Sequence, residues 1–153
     1  MNADQLRHII VKPALEAIGL WSEAAENLVM GTAAQESHLE YVKQLNGPAL
    51  GLFQMEPATY HDLWDSYLGH RPELASKIRQ AIEYNGGIPP ASRMCWDLRF
   101  AAIMCRIHYR RIPKALPDAE DIWALAAYWK KFYNTPLGAG TEAQFADNYR
   151  RAK

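Results

Sequence analysis

Hydrophobic positions recur at helical spacing along most of the chain. Leu6, Ile9 and Ile10 begin this pattern, which predicts an opening helix. Pro13 is expected to bend or restart this helix because proline lacks a backbone N–H, and Gly19 is expected to end it.

A second helix carries the most informative acidic residue. Ser22 is a predicted N-cap, and Glu23 and Glu26 fall in the first turn, where the helix dipole favours negative charge. Small and apolar side chains then recur at helical spacing as far as Glu36. Glu36 is therefore predicted to project from the buried face near the carboxyl end of the helix, where water is partly removed from its carboxyl group.

The helical period is lost in residues 41–54. The turn-forming sequence Asn46-Gly47-Pro48 and the later Gly51 interrupt this segment. The pattern predicts a short β-hairpin or an irregular ribbon beside Glu36.

Helical patterns return after this segment, and five more helices are predicted to begin at Pro57, Pro72, about Ser92, Asp118 and Thr141. The helix from Ser92 is expected to reach Arg111, with Trp96 in its apolar stripe. It would place Cys95 and Cys105 about 15 Å apart, too far for a disulfide, so both are interpreted as buried small side chains. The predicted fold class is mainly α, a single domain over residues 1–153.

Composition narrows the possible functions. No apolar stretch approaches the roughly 20 residues of a bilayer span, and the first residues lack the pattern of a secretory signal peptide. The histidines lack the paired spacing of a zinc site, so neither a metal nor another cofactor is expected.

The net charge is zero but uneven. Residues 1–96 hold seven Lys or Arg against eleven Asp or Glu, and residues 97–153 hold ten against six. Two interpretations stay open for the basic side: the solvated face of one helix, or a cationic wall that attracts an anionic polymer. They concern the residues Arg106, Arg110, Arg111 and Lys114. Nucleic acid is not an expected partner, because the basic residues are not interleaved with aromatics in a recognised module.

Three sequence blocks carry a family resemblance. They read Ala33-Ala34-Gln35-Glu36-Ser37, then Gly51-Leu52-Phe53-Gln54 with Pro57-Ala58-Thr59, and finally Ala124-Leu125-Ala126-Ala127-Tyr128. Their order, and the 18 residues from Glu36 to Gln54, resemble the soluble lytic transglycosylase family. The matched blocks cover about a quarter of the chain.

The resemblance implies a lysozyme-like helical domain that cleaves the β-1,4 bond between N-acetylmuramic acid and N-acetylglucosamine in peptidoglycan. Glu36 would act as the single acid and then as the base, closing a 1,6-anhydro ring without water or metal. Gln54 and Tyr128 would contact the substrate or orient the acid, and Ser37 would support its surroundings. The resemblance also implies a phage-encoded virion component or released lysin, which acts on the bacterial wall with other virion or lysis proteins as partners.

The sequence departs from the family pattern after Tyr128 and at Glu56. The expected Asn-Ala-Gly is replaced by Trp129-Lys130-Lys131, so Trp129, Tyr133 and Asn134 become candidates for the missing sugar contacts.

Glu56 stands where the family commonly carries Met. It could activate water and make the enzyme a hydrolysing lysozyme (muramidase). A non-catalytic virion or glycan-binding protein on the same scaffold is the third hypothesis.

Overall fold

The computed structural model describes residues 1–134 and 137–152. This part of the chain is mainly helical, so the predicted fold class is confirmed at that level. The helices are α1 (residues 3–17, formed by Ala3–Gln5, a π-helical stretch Leu6–Val11 and Lys12–Ala17), α2 (Glu23–Ser37), α3 (Pro57–Asp62, continued by Leu63–Tyr67 and Leu68–His70), α4 (Pro72–Ala81), α5 (Leu98–Arg110, preceded by a 3-10 turn at Ala91–Cys95), α6 (Ile122–Trp129, continued by Lys130–Asn134) and α7 (Glu142–Arg151).

Two predicted helix starts are confirmed by their capping bonds. The Ser22 hydroxyl accepts a hydrogen bond of 3.0 Å from the Ala25 backbone N–H at the start of α2. At the start of α7, Thr141 and Gln144 satisfy each other's backbone N–H groups in a capping box. These caps form between residues three apart in sequence, so the local sequence is sufficient to predict them.

The predicted helix from Ser92 to Arg111 is wrong over residues 92–97. The Asp97 side chain accepts from the Phe100 backbone N–H at 3.1 Å, which starts α5 at Leu98. Asp97 also forms an ion pair with Arg93, and the chain turns between the two elements. Trp96 therefore lies outside the apolar stripe, with 67% of its surface exposed.

The same break separates the two cysteines. Cys95 ends the 3-10 turn and is half-buried, whereas Cys105 lies fully buried within α5, and both thiols are free. The helix predicted from Asp118 also begins later, because Asp121 caps it by accepting from the Ala124 backbone N–H at 3.0 Å.

Helix α2 lies at the centre of the core. Leu28, Val29 and Met30 are buried on consecutive positions, as are the small residues that follow them. A helix that is apolar on all sides must be surrounded by other elements. Helices α1, α5, α6 and α7 all pack against α2, so the end of α2 that bears Glu36 is held from several directions.

The segment between α2 and α3 is an irregular ribbon. Leu50 forms one isolated antiparallel bridge with Lys43 and another with Met55, and the structure assigns no β-strand in residues 1–134 or 137–152. Leu52 and Phe53 anchor the ribbon in the core, where both are at most 1% exposed. Within those same ranges, no helix combines the length and the apolar character needed to cross a bilayer.

Gly31 permits a close approach between α2 and α7. A Cβ atom at this position would lie 2.3 Å from Cζ of Phe145, whose ring is fully buried. The missing side chain therefore creates the notch in α2 that receives the Phe145 ring.

We predict that Gly31→Ala lowers the free energy of unfolding by roughly 1–3 kcal/mol, the usual cost of overpacking a core. In an exposed helix the same change would stabilise by about 0.5–1 kcal/mol, so the expected sign is opposite to helix propensity. Urea unfolding followed by circular dichroism measures the difference. Gly87→Ala is the control, because a Cβ there meets nothing within 4 Å. If Gly31→Ala is as stable as the wild type or more stable, Gly31 is not needed to make room for the Phe145 ring.

Candidate functional site

A cleft of about 610 Å³ opens between the ribbon and the ends of α2, α5 and α6. Most of its walls come from the ribbon and from the start of α3. The lining side chains are Glu36, His38, Tyr41, Gln44, Leu45, Ala49, Gln54, Met55, Glu56, Thr59, His108, Tyr133 and Asn134.

Glu36 occupies the last turn of α2 and faces this cleft. Its Oε1 accepts a hydrogen bond of 3.0 Å from Nε1 of Trp129. No Lys, Arg or His of residues 1–134 or 137–152 forms an ion pair with Glu36. The carboxyl group is therefore not a structural salt-bridge partner, and Oε2 has no hydrogen bond to those residues.

Burial raises the pKa of Glu36 from its ordinary 4.5 to about 7, and the hydrogen bond from Trp129 opposes this rise. A neutral N–H stabilises the carboxylate much less than a neighbouring cation would, so desolvation dominates. A substantial fraction of the Glu36 side chains is consequently protonated at neutral pH. Such a group can deliver a proton to a bound molecule.

The Trp129 indole is held on two sides. Its ring stacks on Phe145 at a centroid distance of 5.4 Å, and the backbone of Gly140 lies against its edge. A Cβ atom on Gly140 would lie 2.6 Å from Cη2 of the indole. Trp129 has no measurable exposure, so its N–H is directed at Glu36 by packing rather than by solvent.

The polar groups beneath Glu36 are uncharged. Tyr133 donates to the Phe53 carbonyl at 2.6 Å, and the Thr32 hydroxyl lies 2.7 Å from both the Leu28 carbonyl and the Tyr109 hydroxyl. Since Thr32 has one hydrogen and donates it to Leu28, Tyr109 must donate to Thr32. Burial raises the pKa of both tyrosines well above the ordinary value, so neither places a second negative charge near the acid.

Four residues predicted from sequence join Glu36 in the cleft: Gln54, Glu56, Tyr133 and Asn134. Gln54 donates through Nε2 to the Gly51 carbonyl at 2.9 Å, so part of its amide holds the ribbon. Glu56 is exposed at the start of α3. The Asn134 side chain accepts from Lys130 Nζ at 2.8 Å.

Two predicted site residues do not reach the cleft. The Tyr128 hydroxyl donates to the Lys114 carbonyl at 2.9 Å, so the predicted contact with Glu36 is not made. Ser37 is 1% exposed and donates to the Ala33 carbonyl one turn earlier in α2. Ser37 therefore supports the end of the helix but does not contact the cleft.

The four basic residues considered for a solvated face or a cationic wall, Arg106, Arg110, Arg111 and Lys114, do not form one surface. Arg106 is buried and donates to the Leu20 carbonyl at 2.9 Å, which contradicts its assignment to a solvated face or to a cationic wall. Arg111 pairs with Asp62 on α3. None of the four lines the cleft.

His108 and Tyr41 line the cleft and Trp129 binds Glu36, although no sequence pattern predicts these placements. Trp129 was considered for sugar contacts, but its indole is buried and serves the acid instead. The distance along the chain, 93 residues, hides this contact from any local pattern. The only hint in the sequence was that Trp129 directly follows Tyr128, the residue expected to contact Glu36. The two side chains face different sides of the same helix.

The chain matches no protein-family model, no curated protein and no solved structure in comparisons with known proteins. Within the described ranges, no group of three or more His, Cys, Asp or Glu side chains is arranged to hold a metal ion. The geometry of Glu36 and its cleft is therefore the basis for assigning a function.

We predict that Trp129→Phe raises the pKa of Glu36 above 7, because it removes the only hydrogen bond from residues of the described ranges that favours the carboxylate. Carbon-13 NMR titration of labelled glutamate measures this pKa. Trp96→Phe is the matched control, since Trp96 is mostly exposed and lies outside the cleft lining. A lower or unchanged pKa in Trp129→Phe would contradict the assignment.

We also predict that Glu36 makes stability depend on pH between about 4.5 and 7. Its pKa is raised in the folded state, so folding binds a proton in this range and the free energy of unfolding falls as pH rises. His108 acts in the opposite direction, because burial lowers its pKa from 6.5 to about 4.

The contribution of Glu36 is isolated by subtracting the Glu36→Gln variant from the wild type. The difference in unfolding free energy should decline by roughly 3 kcal/mol from pH 4 to pH 8. Urea denaturation at several pH values gives both curves. Parallel curves would show that Glu36 titrates normally.

Proposed function

We propose that the protein is a peptidoglycan-cleaving lytic transglycosylase on a lysozyme-like helical scaffold, with Glu36 as its single catalytic acid. The observation that carries the proposal is the state of Glu36, a carboxyl group in an open cleft whose pKa is raised to about 7 and which forms no ion pair with residues 1–134 or 137–152. The three sequence blocks that resemble this family supply the substrate class.

In the proposed reaction, Glu36 gives its proton to the glycosidic oxygen between N-acetylmuramic acid and N-acetylglucosamine. The bond from the anomeric carbon to that oxygen breaks, and positive charge develops on the sugar ring. The acetamido group of the substrate stabilises this charge. Glu36, now a carboxylate, accepts the proton of the C6 hydroxyl as its oxygen bonds to the anomeric carbon and closes the 1,6-anhydro ring.

The hydrogen bond from Trp129 gives the two oxygens of Glu36 different roles in the proposed reaction. Oε1 accepts from the indole, which leaves Oε2 to carry the mobile proton. Trp129 keeps the same contact in both protonation states, because a carboxylic acid and a carboxylate both accept at Oε1. The orientation of Glu36 is thereby preserved between the two proton transfers.

A hydrolysing lysozyme is the second candidate, and the position of Glu56 favours it. Glu56 lines the same cleft and is exposed to solvent, so its carboxylate has access to water. In that mechanism Glu56 would act as the base or nucleophile and Glu36 as the acid. The two candidates differ in whether water enters the product.

We predict that Glu36→Gln reduces the clearing of purified cell walls by about 10²- to 10⁴-fold, the usual effect of losing a general acid. Gln retains an oxygen that can accept from Trp129, so the fold should persist. Glu40→Gln, the same change at an exposed residue outside the cleft lining, is the control. Equal clearing by wild type and Glu36→Gln would exclude Glu36 as the acid. Folded wild-type protein that clears no wall would favour a glycan-binding role.

Product mass and the Glu56→Gln variant separate the two enzymatic candidates. The transglycosylase should release anhydro products about 18 Da lighter than hydrolysed ones, the mass of one water. If the protein is a transglycosylase, clearing by Glu56→Gln should stay within about twofold of wild type, because the transglycosylase mechanism needs a single carboxyl group. Reducing-end products, together with an inactive Glu56→Gln protein, would establish the lysozyme mechanism instead.

A further inference from the structure

His108 presents an unexplained polar group to the cleft. It lies on α5, its ring lines the cleft, and its centroid is 4.7 Å from that of Tyr133. Its Nδ1 is sealed from solvent and has no hydrogen-bond partner in the part of the chain that the structure describes. Its Nε2 likewise makes no hydrogen bond within residues 1–134 and 137–152, but it is not sealed in this way. The cleft is therefore where Nε2 can find a partner.

The charge and tautomer of His108 follow from its surroundings. Burial, with a smaller effect from the positive charge of Arg111, lowers the pKa of His108 to about 4, so the ring is neutral at physiological pH. A buried N–H without an acceptor is rarer than a buried lone pair without a donor. We therefore assign the hydrogen to Nε2, which makes His108 an uncharged donor facing the cleft.

Gln54 supplies the complementary group. Its Nε2 is engaged by the Gly51 carbonyl at 2.9 Å, and its Oε1 has no hydrogen bond to the described residues. The same cleft thus offers one neutral donor, from His108, and one neutral acceptor, from Gln54. A secondary amide carries the matching pair, a carbonyl oxygen and an N–H, and the acetamido group of an N-acetylated sugar is such an amide.

We propose that His108 is a substrate-binding residue that donates from Nε2 to the carbonyl oxygen of a 2-acetamido group, while Gln54 Oε1 accepts from the N–H of that group. This inference rests on the proposed function, because it gives a glycan-cleaving cleft its selectivity. His108 and Gln54 thereby make the cleft selective for sugars that carry an acetamido group over sugars that carry a hydroxyl at the same carbon.

The test measures binding in the inactive Glu36→Gln background by isothermal titration calorimetry. The two probes are the hexamer of β-1,4-linked N-acetylglucosamine and the hexamer of β-1,4-linked glucose, both uncharged. Adding His108→Phe, which keeps a ring but removes the donor, should weaken binding of the N-acetylated hexamer by about 3- to 10-fold, the effect of one neutral hydrogen bond. Binding of the glucose hexamer should not change.

His108→Gln is the conservative variant, because its amide N–H reaches about as far as Nε2 of histidine. It should restore the affinity for the N-acetylated hexamer to within about twofold. A merely structural role for His108 would weaken both probes alike, and that result would overturn the proposal. Unchanged selectivity in His108→Phe, or no binding of the N-acetylated hexamer at all, would overturn it too.

The outcome is separable from that of the proposed function. Anhydro products from wild type together with unchanged selectivity in His108→Phe would refute only the role of His108. If the wild type cleaves no wall but His108→Phe still loses selectivity for the N-acetylated hexamer, the enzymatic proposal is refuted. The acetamido contact is then supported.

Discussion

The hydrogen bond from Trp129 to Glu36 is the interaction on which the site depends. It joins the end of α2 to the end of α6 and gives a sheltered carboxyl group one neutral donor. A cation at this place would lower the pKa of the carboxyl group by about 1–3 units and fix it as an anion. With an indole there instead, burial prevails, and Glu36 keeps an affinity for protons that suits neutral pH.

This hydrogen bond is a product of core packing. Phe145 of α7 lies in the notch at Gly31 and stacks on Trp129, which in turn reaches Glu36 five residues beyond Gly31 on the same helix. Protein interiors are close-packed and deform little, so a displacement at the notch is transmitted to the indole. The orientation of Glu36 therefore depends on how α2, α6 and α7 pack together.

The sequence was sufficient wherever the determining contact was local. Ser22 and Thr141 cap helices through neighbours three residues away, and helical spacing placed Glu36 near the end of α2. The sequence was not sufficient where adjacent residues point in different directions, or where a polar side chain competed with the helical pattern. Tyr128 and Trp129 are adjacent, but the 100° step of an α-helix sends the tyrosine to Lys114 and the tryptophan to Glu36.

The break before α5 shows such a competing side chain. Apolar spacing predicted that one helix would run through Trp96, yet the Asp97 side chain can either point outward from a helix or cap a new one. Its bonds to Arg93 and to the Phe100 backbone N–H satisfy it in the second arrangement. Hydrophobic periodicity considers only apolar positions, so it does not detect a polar cap. Here the cap outweighs the loss of one apolar position from the helix.

The charged residues that line the cleft do not favour an anionic ligand. No Lys or Arg appears among its lining residues in the described ranges, although the carboxyl-terminal half is rich in both. Arg106 is instead buried against the Leu20 carbonyl, and Arg111 pairs with Asp62. What faces the cleft is a set of uncharged donors and acceptors around Glu36, together with the exposed carboxyl group of Glu56. Such groups recognise amides and hydroxyls by hydrogen bonds, which are strengthened when the ligand displaces water from the cleft.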